Sequence, residues 1–135
     1  MPSDSESIQS TLARESAGLI YMSETDSTFT VVSCPWITGA PLTLETFRVC
    51  IGAAADAPGT QMTIDRFFAP AIEQGSPDDP VIRQQKPGFV QLKATLMTLT
   101  AATVFRIGGS DIQAYAVGLA TPTQLAGVLT RVVET

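Results

Sequence analysis

The side chains able to do chemistry in this sequence are carboxylates and thiols, because histidine is absent altogether. Without imidazole, the commonest general base and commonest metal ligand are both missing, which excludes Ser-His-Asp, Cys-His and zinc-histidine sites in one step. Cys34 and Cys50 have no second pair beside them, so a structural zinc lacks a complete ligand set. Cys34 and Cys50 could pair only with each other, but each sits among apolar residues, in VVSCPW and RVCIG, so buried free thiols are expected and a structural disulfide is the alternative. Neither a GxxxxGK[ST] phosphate loop nor a GxGxxG turn occurs. Asp78 and Asp79 could share acid and base work, but adjacent acids in a proline-rich loop ordinarily face water. Asp65, Arg66 and Arg106 are the material of surface ion pairs. The chain therefore reads as a non-enzyme with no cofactor, whose charged groups serve recognition.

Recognition of what kind is bounded by charge. A net charge of −5 with scattered basic residues argues against direct nucleic-acid binding, which needs clustered Lys and Arg to neutralise phosphates. It suits a protein partner whose own surface is positive. The opening MPSDSESIQS is acidic and polar, and no apolar run reaches the roughly 18 residues that cross a bilayer, so a cytoplasmic protein with no membrane association is expected. Its 135 residues suffice for one domain, 1–135, with its own core.

The elements that must carry these residues follow from periodicity. Ser3 and Glu6 form a capping-box pattern, Ile8 and Leu12 lie one turn apart and Gly18 stops the segment, predicting a first helix. Leu19, Ile20 and Tyr21 then enter the core. The polar SETDST is turn-forming and places Glu24 on a loop, and FTVVSCPW has the β-branched and aromatic content of a strand. A second helix runs from Thr43 as cap, through Leu44, Phe47 and Ile51 on one face, to Gly52. QMTID reads as a strand, with Phe67 and Phe68 after it plugging the core. Residues 73–88, with Pro77, Pro80 and Pro87, read as a loop with at most one helical turn. From Pro87, the set Phe89, Leu92, Leu96 and Leu99 predicts a third helix. TVFRIGGSDIQAYAVGLA reads as two strands joined at Gly108 and Gly109, and LAGVLTRVVET as a last strand. The class expected is α+β, with helices packed on a mainly antiparallel sheet that ends in a strand meander.

Two stretches are more specific. LIYMSETDSTFTVV, from Leu19 to Val32, and VFRIGGSDIQAYAVGLATPTQLAGVLTRVVET, from Val104 to Thr135, resemble the cyanobacterial nuclease A inhibitor family. The likeness is carried by MSE at Met22 to Glu24 and by the terminal LAG, T, VVET pattern, with looser matches around APG and IDRFF. It implies an αβα sandwich similar to pathogenesis-related-1-like proteins, and one-to-one inhibition of a sugar-nonspecific, magnesium-dependent ββα-metal nuclease.

The resemblance also implies contact residues. Glu24, from the MSE motif, would bind an active-site arginine of the nuclease, and Thr135 would supply a carboxylate and a hydroxyl to the nuclease's metal. Beyond these two, charge alone would make Glu134 either a source of attraction or a solvated flank, and Asp78 and Asp79 rim contacts that steer association more than hold the complex. Where the family places an aromatic residue beside its loop acids, EQGSPDDPVIRQQ has none. The competing expectation is a diverged module of the same fold that binds another protein or a small ligand without inhibiting a nuclease.

Overall fold

A computed structural model describes residues 4–22, 26–53, 58–72 and 80–133. They form four helices and seven strands in the order α1 (Asp4–Ser16), β1 (Ile20–Met22), β2 (Asp26–Thr28), β3 (Thr30–Pro35), α2 (Leu44–Ile51), β4 (Gly59–Met62), α3 (Ile64–Ile72), α4 (Pro80–Met97), β5 (Thr100–Ile107), β6 (Asp111–Thr121) and β7 (Gln124–Val133). The class is α+β, as expected. β3 to β7 make one antiparallel sheet in the order β3-β7-β6-β5-β4, while β1 and β2 pair as a separate hairpin. The expected meander is β5-β6-β7.

Alternation along the strands divides the core between the two faces of the sheet. Val104, Ile112, Ala114, Ala116, Ala126 and Val128 point to one face, where Leu12 of α1, Phe67 and Phe68 of α3, and Phe89, Leu92 and Leu96 of α4 cover them. Phe105, Val117 and Leu125 point to the other, where Phe47 of α2 and Trp36 cover them. Phe47 is fully buried and stacks on Phe105 with ring centroids 4.6 Å apart. α2 obeys its sequence: Thr43 caps it in a reciprocal box with Thr46, and Gly52, at φ 70°, ends it by donating to Arg48 and Val49 carbonyls.

Four local expectations are corrected. QMTID does not stay extended, because the Thr63 hydroxyl accepts from the Arg66 amide and starts α3 at Ile64. SETDST is not wholly a turn, since Asp26–Thr28 pairs with Ile20–Met22. The third sequence-predicted helix begins at Pro80 instead of Pro87. Pro80 takes the first helical position that suits proline, and Pro87 is accommodated inside the helix at the loss of a backbone bond. Beside it Gly88 lets Leu19 pack close, since a β-carbon there would lie 2.7 Å from Leu19 Cδ2. Finally, Cys34 and Cys50 are not free thiols but a disulfide between β3 and α2. Folding α2 back over Phe105 and Leu125 brings two apolar-flanked cysteines together that lie in separate elements of the chain.

Candidate functional site

The ends of the strands decide what the fold can present. β7 runs from Gln124, opposite Pro35, to Leu129, opposite Thr30, and continues to Val133 opposite Asp111 of β6. The start of β3, the end of β7 and the turn between β5 and β6 therefore share one end of the sheet. The β1–β2 hairpin is joined to that end through Phe29. Thr130, 2% exposed, fastens it there: its hydroxyl donates to the Thr28 carbonyl at 3.0 Å.

Two further contacts hold the hairpin to the helical layer. Tyr21 stacks on Phe67 with centroids 4.5 Å apart, and its hydroxyl donates to the Phe67 carbonyl at 2.9 Å. Gln85 of α4 accepts from the Ile20 amide through Oε1 and donates to the Gly18 carbonyl through Nε2, at 3.2 and 3.0 Å. Thus α3, α4 and β7 all brace the hairpin, so its base is set by core packing. The β5–β6 turn is braced too, since the Gly108 amide donates to the Pro58 carbonyl at 2.8 Å.

Among the described residues this end carries an ion pair. Arg131 of β7 donates through Nε to Asp111 Oδ1 at 2.8 Å and through Nη2 to Oδ2 at 3.0 Å, a two-pronged geometry. The guanidinium hydrogen bonds hold the Asp111 carboxyl below its ordinary pKa, and the carboxylate raises that of Arg131 in turn. Elsewhere Lys93 pairs with Asp65 at 2.6 Å, joining α4 to α3.

Glu24, Asp78, Asp79, Glu134 and Thr135 lie outside the described residues. Their described neighbours are Met22 and Asp26 on either side of Glu24, Ile72 and Pro80 on either side of the acidic loop, and Val133 before the last two residues. The Asp111–Arg131 pair was not legible as a site, because the two residues meet only through the β6–β7 register. Among the described residues no three His, Cys, Asp or Glu side chains converge as a metal-holding group. No described helix is long and apolar enough to cross a membrane.

At the far end of β3 the surface has a different character. Pro35, Trp36, Ile37, Ala40, Val49 and Cys50 line a shallow depression of about 220 Å³, with Thr46 at its side. Ile37 and Val49 there are 79% and 82% exposed.

The family model for nuclease A inhibitor-like proteins matches residues 6–135. The chain belongs to that family. The match takes in the hairpin, the whole sheet and the C-terminal residues, so the resemblance seen at Leu19–Val32 and Val104–Thr135 extends through the middle of the chain. No curated protein matches the chain. Membership in the nuclease A inhibitor-like family points to an inhibitor-type role and a nuclease partner in general, in keeping with a non-enzymatic protein.

Proposed function

We propose that this protein inhibits a sugar-nonspecific, magnesium-dependent ββα-metal endonuclease by capping its active site in a one-to-one complex. The observation that carries the proposal is the family match over residues 6–135, which includes both the MSE motif and the terminal threonine. In this reading Glu24 forms a charge-assisted bond to the active-site arginine that otherwise holds phosphate. Thr135 offers its terminal carboxylate and hydroxyl, hard oxygen ligands suited to a magnesium ion held by the nuclease. Together they occupy the places of substrate phosphate oxygens and present no bond to cleave.

Glu134, Asp78 and Asp79 supply negative charge around these two contacts, and the overall charge of −5 favours approach to a phosphate-binding surface. The acidic loop of EQGSPDDPVIRQQ, having no aromatic residue, contributes charge and not an apolar anchor. Helices on both faces of the sheet support the αβα, pathogenesis-related-1-like arrangement implied by the resemblance. The target would be the host's own nuclease or one kept nearby, and the Cys34–Cys50 disulfide favours an oxidising compartment over the cytoplasm expected from the sequence.

The test is titration of such a nuclease, with magnesium and plasmid DNA, against the purified protein. Cleavage that stops at one equivalent supports the proposal. Cleavage unchanged at large excess, with the cognate enzyme of the source organism, would replace it with the diverged binding module.

A further inference from the structure

The ion pair at the end of β7 has a geometry that global stability does not call for. Both side chains are about half exposed, at 54% for Asp111 and 53% for Arg131. Exposed pairs of this kind add little to folding free energy. Their position is more informative. β3 pairs with β7 only as far as Thr30 opposite Leu129, whereas β6 pairs with it as far as Asp111 opposite Val133. Within the five-stranded sheet, residues 130–133 are therefore held by β6. Arg131 lies opposite Gln113, so its guanidinium reaches diagonally to Asp111 and spans the last rung of the ladder. Asp111 follows a turn fixed by the Gly108 to Pro58 bond, so the pair fastens the strand end to an anchored part of the fold.

We infer that Asp111 and Arg131 are positioning residues: they hold β7 to β6 through Val133 and so fix where the sheet delivers this strand to the partner. This rests on the nuclease-capping function proposed above. A planar guanidinium fork sets a direction that a single ammonium would not. A strand held through Val133 before binding avoids the entropy cost of being ordered during it, and losing that advantage for one or two of residues 131–133 weakens association by about ten-fold.

Arg131→Gln separates this role from simple charge. A cation facing a phosphate-binding partner is repulsive, so by charge alone its removal would strengthen binding. Positioning gives the opposite sign. In the full-length protein, R131Q is expected to exchange its 131–133 amides about ten-fold faster, with Val104–Val117 unchanged, and to inhibit the nuclease about ten-fold less well. The exchanged pair Asp111→Arg with Arg131→Asp is expected to restore both. Unchanged exchange at the strand end, or inhibition equal to or stronger than that of the unaltered protein, would overturn the inference. Failure of the unaltered protein to inhibit would instead defeat the capping function, and the positioning role with it. The exchange measurement distinguishes these failures, because it needs no nuclease.

Discussion

Replacing Phe47 with alanine tests the packing that holds α2 on the sheet. Phe47 has no exposed surface, stacks on Phe105 at 4.6 Å and meets Tyr115 edge-on at 4.9 Å. It is the buried anchor that α2 contributes to a cluster otherwise built from Trp36, Phe105, Val117 and Leu125. Truncating a phenylalanine in such a site costs about 3–5 kcal/mol through lost burial and the cavity left behind. Against a total stability of about 5–15 kcal/mol for an ordinary domain, that is a large fraction, yet leaves a folded protein at low denaturant. Urea unfolding measures it with two probes, far-UV circular dichroism for the whole fold and fluorescence of the single tryptophan, Trp36, for this cluster. The expected result is a lower midpoint in both, with the slope unchanged. A loss below about 1 kcal/mol would refute the packing argument, since a surface phenylalanine would behave that way.

Three shorter predictions concern other links in the fold. Replacing both Cys34 and Cys50 with alanine should cost about 3 kcal/mol, from the loop the bridge closes over a separation of 16 residues; urea midpoints with and without reductant should differ for the natural protein and coincide for the variant. Gly127→Ala places a β-carbon 2.7 Å from Val117 Cα, so β6 and β7 must part; a loss of about 1–3 kcal/mol in thermal unfolding is expected, and none would mean the strands are further apart. The Asp111 carboxyl should titrate below the ordinary 3.8 in NMR, and return toward it in Arg131→Gln. Because the folded-state value is the depressed one, the pair's contribution is present above 3.8 and fades as pH falls through the lower value.

What the sequence disclosed followed the strength of its periodic signals. α2 was readable because Thr43, Phe47 and Gly52 supply cap, face and stop together. The last three strands were readable from their apolar runs and the Gly108 turn. α3 was hidden because TID resembles the end of a strand and Pro70 interrupts the helical pattern that Ile64, Phe67, Phe68 and Ile72 make. α4 reads two turns short for the same reason, since Pro87 suits a first helical position as well as Pro80, where the helix starts. The disulfide and the Asp111–Arg131 pair depend on register and on which face a helix covers, and neither is a local property of the chain. Glu24 and Thr135 came from family likeness, as an exposed acid or a terminal residue has no periodic signature.

Inhibition by metal capping turns on Thr135. Titrating the magnesium-dependent nuclease with the intact protein and with a version lacking Thr135 compares the two directly. Stoichiometric inhibition by the intact chain, lost on that deletion, is the predicted result. Equal inhibition by both would contradict capping of the metal by the chain end and leave Thr135 without the role assigned to it.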